Sequence, residues 1–331
     1  MFSKRSISLG VFSCLLLSGC SVVSSVLPEK AMTNVLSGRE GANGQVLVVK
    51  IDDTTQAHPQ IGLEDADIVY IEQVEGGLTR LAAVFSSVIP ERVGPVRSAR
   101  ISDIEILSQF GRVAFAYSGA QSKLLPVIAA ANLQDLGAQR QSPTIYTTDP
   151  ERIQPYAMVL RADLLMQLIQ EKGFAIDSAK SIGFSFGSLP EGGAATEKVV
   201  MNWPAATYSA TWSEEDARWL LSHNNAVNYA DSGLVLGPST LIIQMVSITP
   251  SEYKDKVGGV TPFSQTVGSG KAYVLRDGQR FTTTWTRPSA EAGTTFTFAD
   301  GTIMNFDPGQ IWIALTDREP VFTSPPVAKT K

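Results

Sequence analysis

Two arginines three residues apart, Arg97 and Arg100, stand in the run Gly94-Pro95-Val96-Arg97-Ser98-Ala99-Arg100. A guanidinium presents a planar fork of N–H donors that suits a carboxylate or a phosphate. Gly-Pro breaks whatever precedes it, because Pro fixes φ and lacks a backbone donor. Ser98 then stands where a helix is expected to begin, ahead of Ile101, Ile104, Ile106 and Leu107, and its hydroxyl is expected to cap the first turn. A helix start already attracts anions through its free N–H groups and its dipole. The run therefore reads as an anion seat, or as two arginines that pair with nearby acids and staple the fold.

The candidate counter-charges precede it. Ala66-Asp67-Ile68-Val69-Tyr70-Ile71-Glu72-Gln73-Val74-Glu75-Gly76-Gly77, followed by Leu78 to Phe85, reads as strand, glycine break, strand. Asp67, Glu72 and Glu75 are placed to orient the arginines, and Arg80, just past the break, is close enough to neutralise one of them. Side chains alternate faces along a strand, which puts Glu72 and Glu75 on opposite faces and weakens any reading of them as a catalytic carboxylate pair. Ser118-Gly119 forms the turn of a second strand–turn–helix unit, and in α/β sheets ligands gather at the carboxyl ends of strands, so Ser118 is expected at the same pocket. Arg287, in Trp285-Thr286-Arg287-Pro288, either reaches a carboxylate or holds a strand-end turn.

Other chemistry is missing from the chain. It has no P-loop, no Gly-x-Gly-x-x-Gly, no His-Glu-x-x-His and no Gly-x-Ser-x-Gly elbow. Its two histidines, His58 and His223, fall in predicted loops or turns without a nucleophile signature near either, and both are expected at the surface. No Ca²⁺-loop spacing is present, and neither a metal nor a cofactor is expected.

The elements that position these residues follow an address. Lys4 and Arg5 precede an uncharged apolar run, Ile7 to Leu17, too short for the ~20 residues of a membrane span. Leu17-Ser18-Gly19-Cys20 looks like a bacterial lipobox, which implies a signal peptide over residues 1–19, removed before a lipidated Cys20. Cys14 is the only other cysteine, so the mature body has no disulfide and no cysteine metal site. Removing Lys4 and Arg5 leaves 25 basic against 32 acidic residues, a net charge of −7 from the −5 of the whole chain. That acidic body argues against nucleic-acid binding. With 44% hydrophobic residues in 331, the length suggests two domains.

Residues 20–43, small and polar, read as a flexible tether. An α/β (or α+β) architecture is expected: an N-terminal mixed α/β domain over 44–185, a Gly- and Ser-rich linker from Ser178 to Gly193, and a smaller, mainly antiparallel β domain over 195–318. Strand signals in the first part are Val46–Ile51 and Val113–Tyr117, with helices after Ser102 and from about Ala157 to Gln170. In the second part strands recur at Val199–Trp203, Ala206–Trp212, Leu241–Val246, Lys271–Leu275, Gln279–Trp285 and Gln310–Leu315, with Asp-Gly turns between some of them. The proline-bearing tail 319–331 is expected to be disordered.

Taken together the chain resembles the YerB-like bacterial lipoproteins, a family whose domain has no assigned function. The matching stretches are His58-Pro59-Gln60-Ile61-Gly62-Leu63, Ala66 to Tyr70, Val74 to Arg80, Gly94 to Arg100, Gly270-Lys271-Ala272, Trp285 to Pro288 and Pro308 to Trp312. The resemblance implies a lipid-anchored protein and brings no established reaction. It also marks Arg152 as a candidate, since many members carry Arg-x-x-Pro-His-Asn where this chain has Arg152-Ile153-Gln154-Pro155-Tyr156-Ala157. Tyr156 and Ala157 replace the polar pair, which removes an acid–base candidate and favours binding over catalysis. The expectation is an extracytoplasmic protein, held to a bacterial membrane by its N-terminal lipid, that binds an anionic ligand or an envelope partner. The alternatives are a cell-wall enzyme using Glu72 or Glu75 as acid or base, and a scaffold for another envelope protein.

Overall fold

The structure, a computed structural model, describes residues 32–326. The expected signal peptide, Cys20 and residues 20–31 of the tether lie outside the described residues, as do the last five of the tail. Among the described residues no helix is long and apolar enough to cross a membrane.

Eleven strands form one mixed sheet: β1 (Leu47–Asp52), β2 (Ile68–Gln73), β3 (Thr79–Phe85), β4 (Val113–Ala116), β5 (Leu133–Asp135), β6 (Ala194–Ala195), β7 (Thr240–Met245), β8 (Gly268–Arg276), β9 (Gln279–Arg287), β10 (Thr295–Thr297) and β11 (Ile311–Thr316). Their order is β6-β9-β8-β7-β11-β2-β3-β1-β4-β5, with β10 also pairing with β9. The late strand β11 lies between β7 and β2 and runs parallel to both. Its sequence, Ile-Trp-Ile-Ala-Leu-Thr, is buried throughout, the near-continuous apolar run that a strand covered on both faces requires. Strands from either side of the expected 185–195 boundary thus share one sheet.

Each face carries a core. Val49, Ile51, Leu81, Ala83 and Trp312 face a five-stranded antiparallel sheet and helix α3 (Ala162–Lys172). In that smaller sheet the order is Ala226–Val227, Arg218–His223, Ala206–Ser213, Lys198–Trp203, Val321–Thr323. On the other face Val48, Ala82, Val84, Tyr70 and Ile313 pack with helices α1 (Ile101–Ser108) and α2 (Leu125–Ala130). A two-stranded ribbon, Ile248–Lys254 with Val260–Ser264, lies against α1.

Several expectations need correction. Among the described residues the chain is mostly β, 42% strand against 13% helix, because most connections that an α/β domain makes with helices are here hairpins and loops. Residues 32–43 of the tether pack: Asn34, Leu36 and Ser37 are buried, and the Asn34 amide donates to Ala42 O and Ser86 Oγ. In the proposed linker Ile182 and Phe184 are buried. Within the tail, Val321–Thr323 adds a strand to the smaller sheet. Met158–Arg161 is a strand, so the helix predicted from Ala157 starts only at Ala162.

Candidate functional site

Cross-strand register builds the site. Asp52 on β1 and Glu72 on β2 both stand opposite Arg80 on β3, forming one row across the sheet on the α1 side. Two residues along the strand, Lys50 is fully buried between the carboxylates of Glu72 and Asp103, 2.8 Å from Asp103 Oδ1. At the outer end the row opens into a cavity of about 450 Å³ lined by Asp52, Glu75, Arg80, Arg97, Ser98 and Arg100. Tyr156 and the ribbon-tip residues Lys254, Asp255 and Lys256 complete its polar wall.

Two of the three arginines are matched to acids. Arg97 Nε lies 2.6 Å from Asp52 Oδ2. Arg100 donates from Nη2 and Nε to Glu75 Oε2, at 2.7 and 2.9 Å. Glu75 also accepts from the Thr261 hydroxyl. Burial pushes its carboxyl up, but the Arg100 hydrogen bonds and charge outweigh that and hold it below the usual range. Arg80 differs. It donates only to Ser98 O, at 3.4 Å, and among the described residues no carboxylate lies within ion-pair distance of it. Burial first, then the charges of Arg100 and Arg97, pull it down to about 9. A guanidinium holds its proton in proteins, so such an environment is relieved by an anion rather than by deprotonation.

Helix α1 starts two residues later than expected. Arg100, not Ser98, stands at the cap position, and its backbone N–H donates to Asp103 Oδ2 at 2.6 Å. The Ser98 hydroxyl faces Ser118 Oγ at 3.4 Å instead. Ser118 borders a second cavity of about 270 Å³ that shares Arg97 and Ser98 with the first.

Of the predicted set, Glu75, Arg80, Arg97, Ser98 and Arg100 converge, with Ser118 adjacent. The other four do not reach the cavity. Asp67 is buried and accepts from the Ser37 and Ser87 hydroxyls and from the Ser86 and Ser87 backbone N–H groups. Glu72 is sealed inside with Lys50, not neutralised by Arg80, and burial followed by the Asp103 charge pushes its carboxyl up. Arg152 donates to Ala57 O and Pro59 O, stapling the loop after β1. Arg287 is fully buried and donates to Ala290 O, Ala292 O, Glu105 O and Thr266 Oγ1, which holds a strand-end turn onto α1.

Sequence reading missed Asp52, the counter-ion of Arg97: Asp52 stands opposite Arg80 only because β1 pairs with β3, outside the β2–β3 hairpin, and no local signal announces that pairing. It also misplaced both histidines. His58 and His223 stack with ring centroids 4.6 Å apart, beside the buried Asp53. They are far apart in the sequence, and no local signal joins them.

Two family models match, described as the N-terminal and C-terminal domains of a protein of unknown function, DUF3048, over residues 32–175 and 199–313. A protein of Bacillus subtilis (strain 168) named "Putative lipoprotein YerB" is 35% identical over 88 residues. That stretch is 27% of this chain and 26% of the relative, so only about a quarter of either sequence is aligned. The crystal structure of YerB protein from Bacillus subtilis superposes with a TM-score of 0.75 at 20% identity, covering 88% of this chain and 99% of that one. At that identity the likeness shows the fold. With both DUF3048 domains present in order and the YerB architecture around them, the chain belongs to the YerB-like family.

Proposed function

We propose that the protein is held outside the cytoplasm by a lipid on Cys20 and binds an anion, free or as the charged group of an envelope ligand, in the Arg80–Arg97–Arg100 cavity. The observation that carries this reading is Arg80, a guanidinium between two others with no acid of its own. The cavity is lined by five cations, Arg80, Arg97, Arg100, Lys254 and Lys256, against three acids, Asp52, Glu75 and Asp255. A local cation excess on a chain of formal charge −5 focuses anions at that spot. The lipobox-like Leu17–Cys20 and the lipoprotein name of the B. subtilis relative support the location. For the enzyme alternative, Glu72 has no route to a substrate and Glu75 is held ionised by Arg100, which leaves neither glutamate suited to deliver a proton.

Titration calorimetry on the full chain in detergent, with inorganic phosphate and with citrate, tests the site. At least one anion is expected to bind, and Arg80→Ala is expected to weaken it while sparing the melting temperature. No binding by either anion, or a variant that melts early with unchanged binding, overturns the reading. Mass analysis of the membrane-extracted protein, with Cys20→Ala as control, tests the anchor.

A further inference from the structure

On the opposite face of the same sheet end, Asp53, His58 and His223 each offer one ligand atom, and the three atoms lie within 4.8 Å of one another. These are the only histidines of the chain. His58 Nδ1 lies 2.9 Å from Asn228 Oδ1. An amide oxygen only accepts, so Nδ1 carries a proton, and in the neutral ring Nε2 presents its lone pair. That Nε2 is 3.3 Å from Asp53 Oδ1, another acceptor. His223 Nε2 is 3.9 Å from Asp53 Oδ2, and it is buried without a hydrogen-bond partner. Asp53 is fixed from behind by the Tyr208 hydroxyl at 2.6 Å and the Thr79 hydroxyl at 2.5 Å. Oriented imidazole and carboxylate ligands with their outer atoms already hydrogen-bonded are how protein metal sites are built.

We propose that Asp53, His58 and His223 bind one divalent transition-metal ion of the zinc class, with solvent at the remaining position. Two imidazoles and a carboxylate favour zinc, cobalt, nickel or copper over magnesium or calcium. With metal–ligand bonds of about 2.0–2.2 Å, a tetrahedral site needs ligand atoms roughly 3.4 Å apart, close to the 3.3 and 3.9 Å separations from Asp53. Two adjustments accompany binding. The rings stack within 10° of parallel, so the His58 ring turns to bring its Nε2 onto the ion. The Gln60 amide, which donates to His58 Nε2 at 3.2 Å and to Asp53 Oδ1 at 3.3 Å, swings away. Its oxygen is buried without a partner, so that end of the amide is not held in place. His58 is the ligand with an exposed edge, 16% of its side chain, and that edge admits ion and solvent. The bound ion ties the loop after β1 to the Ala206–His223 hairpin. Protons compete for the same nitrogens, so affinity rises with pH.

The test uses the full chain in detergent, stripped with a chelator and titrated with Co²⁺ alone. One equivalent is expected to produce the visible absorption of four-coordinate cobalt, bleached by Zn²⁺ and untouched by Mg²⁺ or Ca²⁺. His223→Asn is expected to weaken uptake by about 100-fold or more, beyond what loss of an outer-shell partner causes. His58→Asn, at the less buried position, is expected to do the same with the chelated protein's melting temperature retained. Absence of one-to-one uptake in the natural chain, or undiminished uptake in the His58→Asn variant, overturns the proposal.

Discussion

Asp52 and Asp53 are neighbours in the chain and belong to opposite faces of one sheet. Around Asp52, on the α1 side, cations outnumber acids and the space is open. Around Asp53, against the smaller sheet, a buried carboxylate meets two imidazoles, and one imidazole nitrogen is buried without a partner. The same inversion occurs across the hairpin, where Arg80 joins the first cluster and Thr79 the second. The period-2 alternation of a strand thus sorts consecutive polar residues into the cluster proposed to take an anion and the cluster proposed to take a cation. Fixed local charge, rather than net charge, decides what each place accepts.

The comparison can be broken most severely beneath Asp52. Lys50→Met leaves Glu72 and Asp103 buried without their cation, and denaturant unfolding is expected to show a loss of about 3–5 kcal/mol. Because burial and Asp103 raise the Glu72 carboxyl, that loss should shrink as pH falls and Glu72 takes up a proton. A smaller effect is expected from Glu75→Gln, about 1.5–3 kcal/mol for a charged hydrogen-bonded partner. The folded Glu75 carboxyl lies below its ordinary 4.5, so its contribution is present above pH 4.5 and is lost as pH falls through the lower folded value. Stability measured across that window should therefore fall in the natural chain by a component that the variant lacks.

Arg80→Ala sharpens the contrast without attacking the core. Anion affinity should drop about tenfold, roughly 1.4 kcal/mol, with a melting temperature equal to or above that of the natural chain, since like-charge repulsion is removed. The smallest effect is spectroscopic and belongs to the Asp53 face. In the metal-free protein His58 should titrate above 6.5: burial lowers it, but the Asp53 hydrogen bond and charge prevail. His223 should titrate below 6.5, because burial is its largest influence. Two imidazole resonances that moved together with pH would contradict the stacked arrangement.

The Arg face was more legible in the sequence than the Asp53 face, for a physical reason. Glu75, Arg80, Arg97 and Arg100 sit on two short, strongly patterned segments, and the glycine break at Gly76-Gly77, both at positive φ, announces the hairpin that brings them near each other. Asp67 and Arg287 carry the same charges but spend their hydrogen bonds on backbone groups and hydroxyls, and Arg152 divides its own between backbone carbonyls and the carboxylates of Asp149 and Asp231. Residue type alone does not distinguish a staple from a seat. His58 and His223 looked like surface residues because their flanks are polar. Burial there is imposed by the smaller sheet packing over the loop.

By itself the sequence determined most of the strands, through their β-branched and alternating runs, and the hairpin that carries Glu75 and Arg80. It also determined the distinctive Gly94–Arg100 segment and the membership of the YerB-like family. Only the tertiary structure decided that β11 enters between β7 and β2 and joins the early and late strands in one sheet. It alone decided that Arg80 is left without an acid, and that two distant histidines meet at Asp53. Strand and turn preferences are local and survive in a window of a few residues. The pairing of charges depends on which strands become neighbours, and that is settled by burial of apolar surface across the whole chain.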